Sequence, residues 1–189
     1  MAMENPFEGK EIWFGVGSQD LYGEEALRQV AQQTGEMVDF LNATGKIPAK
    51  IVLKPTLKSS DGVKAFMTEA SANPNVIGVI TWCHTFSPGK MWINGFAALQ
   101  KPYCHFATQY NREIPNEEID MDFMNLNQAA HGDREHGFTA ARLRVLAGRG
   151  GAETPGGLDA RRRGRGGFQR AEGHALRRQY AGSRRDRGR

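Results

Sequence analysis

Cysteine is scarce in this sequence: Cys83 and Cys104 are the only two, and they are not closely spaced. That excludes a disulfide framework and a zinc knuckle, and it fits a reducing, cytoplasmic location. No apolar run approaches the length needed to cross a bilayer, so no membrane partner is expected. The opening "MAMENPFEGK" has neither the basic start nor the apolar stretch of a signal peptide. Nucleotide-binding loops are missing too, since "GSQDLYG" (Gly17–Gly23) is neither GxGxxG nor a P-loop.

Other residue types run out part-way along the chain. The last lysine is Lys101, the last isoleucine Ile119 and the last valine Val145. Residues 1–148 hold 13 Lys or Arg against 17 Asp or Glu, whereas residues 149–189 hold 12 Arg against four acids. The net charge of +4 therefore conceals an acidic body and a strongly basic, glycine-rich tail. Such a tail has too little apolar surface to offset the entropy of ordering it, so disorder is expected beyond about Gly148.

The body has what the tail lacks, including regular apolar runs and three tryptophans, Trp13, Trp82 and Trp92. "EIWFGVG" (Glu11–Gly17) reads as a buried strand entering a glycine turn. The helix after it carries Leu27, Val30, Ala31, Thr34, Val38 and Leu41 on one stripe. "AKIVLKP" (Ala49–Pro55) is a second strand, and "SSDGVKAFMTEASAN" a helix capped near Ser60. "NVIGVITW" (Asn75–Trp82) is apolar on both faces, as in a covered parallel sheet. "KMWINGFAALQ" reads as helix and "PYCHFATQY" as a fourth strand; "HGDREHGFTAARLR" reads as a helix starting near Asp133. Alternation of strand and helix predicts an α/β fold: a doubly wound, flavodoxin- or Rossmann-like parallel sheet with flanking helices.

Ligands in such sheets bind outside the carboxyl ends of the strands. Three polar segments fall there: "GSQDLYG", "TWCHTFSPGK" and "TQYNRE". The first offers polar groups to a hydroxylated ligand, though an ordinary turn with Asp20 as a helix cap explains it as well. In the second, Trp82 and Phe86 suit either sugar stacking or plain coverage of the sheet, and His84 is more easily a hydrogen-bonded structural residue than a ligand. His131 and His136 are five apart, which is not the spacing of a helical metal pair. No metal site, Ser–His–Asp set or carboxylate pair stands out.

Together these segments closely resemble the L-arabinose isomerase family in its N-terminal domain. The resemblance rests on "WFGVGSQDLYG", "VLKP", "GVITWCHTFSPGKMW", "LQKPY", "TQYNREIP" and "IDMDFMNLNQAAHGDREHGF". It divides the chain into an extension (1–10), the N-terminal α/β domain (11–144) and the Arg/Gly-rich tail (145–189). It implies an aldose–ketose isomerase of arabinose catabolism that converts L-arabinose to L-ribulose and often accepts D-galactose, in a homo-oligomer. The family uses Mn²⁺, held by two Glu and two His, to orient sugar oxygens and polarise the carbonyl. Those ligands lie in the family's later domains. Neither a catalytic residue nor a metal ligand is therefore expected in this chain, and the fragment alone is expected to be inactive. Gln19 and Leu21 are expected to touch the sugar in their own subunit, and Phe86, Gln128 and His131 to complete a neighbour's pocket. Asp20 stands where some members have His, and Cys83 where some have Met.

The resemblance stops after Arg144. Written with suitable synonymous codons, "AEGHALRRQYAGSRRDRGR" (171–189) read one base on begins LKVMRFGDNMREVAVTEG, which resembles the family further downstream. A frameshifted tail is the expectation, with arginine and glycine reflecting GC-rich DNA in the wrong frame. The alternative is a nonenzymatic α/β domain with an arm that binds nucleic acid through phosphates. Only Phe168 and Tyr180 are present there to stack on bases, so no specific nucleic-acid partner is expected.

Overall fold

A computed structural model of the chain describes residues 5–114, 116–117 and 119–150, with side chains described as far as 140. The first compact unit is Met1–Leu146 and the second Ala147–Arg189. The tail expected to be disordered lies largely outside the described residues.

Four strands form one parallel sheet in the order β2-β1-β3-β4: β1 (Glu11–Gly17), β2 (Lys50–Leu53), β3 (Val76–Cys83) and β4 (Tyr103–His105). The expected α/β class and parallel sheet are present. The central strands are buried almost throughout, and the edges are short and half-covered. Continuous apolar runs at β1 and β3 are what two covered faces require.

Helix α1 (Gly23–Ala43) starts with Glu24 and Glu25, acids at the positive end of its dipole. Its buried residues are Val30, Thr34 and Val38; Ala31, read as part of the same stripe, is exposed. Thr34 tolerates burial because its hydroxyl donates to the Val30 carbonyl at 2.5 Å. Near the end of α1, the Asn42 amide donates to the Ile51 carbonyl and accepts from its N–H, both at 2.9 Å, satisfying one residue of the exposed edge β2.

Helix α2 (Ser60–Ala72) is capped by Ser59, whose hydroxyl accepts from Gly62 N at 3.1 Å. It packs with α3 (Ile93–Ala98) on a core of Trp13, Leu57, Val63, Phe66, Met67, Ala70, Val76, Val79 and Trp92. The fourth strand is shorter than its sequence suggests: its register with β3 covers Tyr103, Cys104 and His105, with single flanking bonds from Val79 N to the Pro102 carbonyl and from Phe106 N to the Thr81 carbonyl. Past it come α4 (Met121–Leu126) and α5 (Ala129–Gly150). Asp120 caps α4 by accepting from Phe123 N at 2.7 Å. The start of α5 at Ala129 corrects the expected start near Asp133. Asp133 lies inside the helix and bonds across to β4 instead of capping.

One position in β1 controls how closely the other loops approach. A Cβ on Gly17 would lie 2.6 Å from both Ser87 Oγ and the Trp92 ring. Gly17→Ala is therefore expected to overpack this end of the sheet and destabilise the domain by about 1–3 kcal/mol. Urea unfolding should show a lower midpoint at unchanged slope. An unchanged midpoint would mean that the contact is not confining.

Candidate functional site

From β1 the chain crosses through α1 to β2, while from β3 it leaves toward β4 on the opposite side. The carboxyl ends of β1 and β3, paired at Gly17 and Cys83, thus form a topological switch point, the usual ligand position in such sheets.

The loops there are held to one another by specific bonds. Ser18 Oγ and Thr85 Oγ1 are 2.8 Å apart and both residues are fully buried. Gln19 Nε2 donates to the Phe86 carbonyl at 2.8 Å. Ser18 N donates to the Leu57 carbonyl at 3.0 Å, which brings in the segment after β2. The Trp92 indole N–H donates to Ser87 Oγ at 2.9 Å. Tyr22 is half-buried beside this loop; burial raises its phenol pKa, and the Phe86 backbone pulls it the other way.

Of the five residues proposed to touch a sugar, three come together. The Gln19 amide is anchored on the Phe86 backbone, and the Phe86 ring meets His131 edge-on, centroids 6.1 Å apart. Phe86 is half-buried, and His131 is exposed on α5. Gln128 lies just before α5 and donates to Asn125 Oδ1 at 3.0 Å. Leu21 is 71% exposed on a 3-10 turn two residues beyond Gln19. The trio makes an open rim with an amide, an aromatic face and an imidazole: groups able to hydrogen-bond hydroxyls and cover a sugar face.

His84 behaves as a structural residue. It is buried; Nδ1 lies 3.0 Å from the Leu126 carbonyl and Nε2 bonds Gln33 of α1. Burial lowers its pKa, so it is held neutral.

A second cluster was missed in the sequence. His105 Nε2 bonds Asp133 Oδ1 at 2.8 Å, its Nδ1 lies 3.0 Å from Thr81 Oγ1, and the Cys83 sulfur is close by. The three residues come from β3, β4 and α5, so no local spacing announced them. The cluster is not the two-Glu, two-His set implied for Mn²⁺, and no manganese chemistry is assigned to it. Beneath it His136, 1% exposed, stacks on His105 with centroids 4.0 Å apart.

This architecture defines an α/β domain whose β1 and β3 loops and α5 converge on an open rim at the switch point of a parallel sheet. The sequence profile of the L-arabinose isomerase N-terminal domain matches residues 6–148, and the chain belongs to that family. It is 85% identical over 145 residues to an L-arabinose isomerase of Bifidobacterium adolescentis, covering 77% of this chain and 29% of that protein. Identity to an L-arabinose isomerase of Bifidobacterium longum is 79% over 145 residues, with the same coverages. For one from Thermotoga petrophila it is 58% over 135 residues, 71% of this chain and 27% of that protein. The chain thus spans less than a third of the curated relatives it matches.

Burial first, and then the charge of His105, lower the His136 pKa from 6.5 to about 3. The folded state therefore favours neutral His136. Its contribution is complete above the unfolded pKa near 6.5 and is lost as pH falls toward about 3. His84 acts in the same direction. Urea midpoints should drop between pH 7 and pH 5, above the range where most carboxylates titrate, and His136→Phe should flatten that drop. A midpoint that rises or stays level over the interval would contradict the burial of neutral histidine.

Proposed function

We propose that residues 11–144 are the N-terminal domain of an L-arabinose isomerase, and that its switch-point rim positions the sugar during conversion of L-arabinose to L-ribulose. The observation that carries this reading is the tie of Gln19 to the Phe86 backbone with the Phe86 ring against His131, in a chain so similar to proteins of that name. At a subunit boundary of a homo-oligomer, Gln19 and Leu21 reach the sugar of their own subunit, while Phe86, Gln128 and His131 complete the neighbour's pocket. An open rim is what a shared pocket requires. D-galactose is accepted in the same place. Phe86 presents an apolar face, while the amides and His131 bind hydroxyls.

The reaction is metal-dependent, and its Mn²⁺ ligands belong to the remaining length of the longer relatives. This chain alone is therefore inactive. The tail from residue 145 is an out-of-frame translation, which sequencing the gene across that codon decides. The protein works in the cytoplasm, a location that its scarcity of cysteine supports. Among the described residues, no helix is long and apolar enough to cross a membrane.

The test is a hybrid in which residues 1–144 precede the remaining domains of the Bifidobacterium adolescentis relative. The 189-residue chain with Mn²⁺ should form no L-ribulose, and the hybrid should form it. In the hybrid, His131→Ala and Phe86→Ala should each lower kcat/KM for L-arabinose by roughly 10- to 100-fold, because a misplaced substrate forfeits proximity. Bound manganese should be unchanged. Turnover by the isolated chain, wild-type kinetics in both variants, or loss of manganese on His131→Ala would each contradict the assignment.

A further inference from the structure

We infer that Cys83, His105 and Asp133 form a site for a thiophilic divalent cation such as Zn²⁺, pinning α5 to the carboxyl ends of β3 and β4. The inference does not rest on the sugar chemistry proposed above. Cys83 Sγ, a ring nitrogen of His105 and a carboxylate oxygen of Asp133 all lie within 4.8 Å of one another. That separation is small enough for modest side-chain rotation to bring all three onto one ion at ordinary zinc distances.

The surroundings follow the pattern of a metal-binding histidine. Thr81 Oγ1 partners His105 Nδ1 and turns Nε2 toward Asp133. A ligating histidine usually has such a partner on its other nitrogen, which fixes tautomer and ring orientation. Gly132 lets α5 approach: a Cβ there would sit 3.1 Å from Cys83 Sγ and 2.9 Å from the Ser87 carbonyl. Cys83 is fully buried, while the His105 and Asp133 side chains are each 15% exposed, so the cluster is closed beneath and reachable from the rim.

A separate observation concerns His136. It is 1% exposed, lies flat on His105, and neither of its ring nitrogens has a partner. An unpartnered buried polar group is costly. His136 is not among the three residues whose ligand atoms converge. With three protein ligands a tetrahedral ion keeps one position for water, and that water can give His136 the partner it lacks.

A divalent ion would be neutralised at this cluster: on binding, the Cys83 thiol releases its proton, sulfur bonds the metal, and thiolate plus carboxylate balance the two positive charges. Thiolate, imidazole and carboxylate together suit Zn²⁺ or Co²⁺ over Mg²⁺ or Mn²⁺.

The experiment is a Co²⁺ titration of the chelator-treated, purified 189-residue chain. The expected result is a thiolate-to-cobalt charge-transfer band saturating at one ion per chain and erased by Zn²⁺. Zn²⁺ should also raise the Tm, as a ligand of the native state must. Cys83→Ala should abolish the band, Cys104→Ala should leave it, and His105→Gln should weaken Co²⁺ binding at least tenfold. Absence of the band in the folded wild-type chain overturns the proposal without recourse to any variant. So does a band that survives Cys83→Ala or disappears with Cys104→Ala. Should Cys83→Ala fail to fold, unaltered Co²⁺ binding by folded His105→Gln would overturn it equally.

Discussion

The carboxyl end of this sheet depends on the lack of a side chain at Gly17. With no Cβ there, Ser87 and the Trp92 ring close onto β1. The loop after β3 can then lie against the loop after β1. Ser18 reaches Thr85, and Gln19 reaches the Phe86 carbonyl. Three consecutive positions therefore do different jobs: one permits approach, one fastens the loops in the dry interior, and one carries the fastening to the surface. Rigid support for surface side chains is what a positioning site needs, since binding groups are useful only when their geometry is set in advance.

Helix α5 closes the same end from the other side. His136 covers His105 and meets Trp92 edge-on, with centroids 4.5 Å apart, so the helix is seated by aromatic contacts. Gly89 N donates to Glu135 at 2.6 Å, tying α5 to the segment after β3. His131 is carried on the first turns of this helix, beside Phe86. Sheet loops and helix thus meet at one rim, and the Cys83–His105–Asp133 cluster lies where they meet. Any ion held there would act on the rim by fixing α5.

Much of the fold was legible because β1 and β3 are buried on both faces, which writes long apolar runs into the sequence. The start of α2 was legible to within one residue because a serine cap is a local signal. Asp133 misled: an acid beside glycine looks like a cap, yet its partner is His105, 28 residues away. The start of α5 at Ala129 puts Gly132 inside the helix, where it packs against Ser87 and Cys83, a contact between distant segments that no local signal announces. Gln19, Phe86 and His131 were picked out through resemblance to a family, since nothing in their spacing joins three distant segments. The thiol cluster stayed hidden for the same reason, and no resemblance pointed to it.

The central claim is that the β1 and β3 loops, with the start of α5, present the sugar-positioning surface of an L-arabinose isomerase. A crystal structure of the completed hybrid enzyme with a bound pentitol tests it most directly. The pentitol should lie against the Phe86 ring, with hydroxyls in hydrogen-bond reach of Gln19 and His131. A pentitol seated in the enzyme without touching any of these residues would contradict the claim.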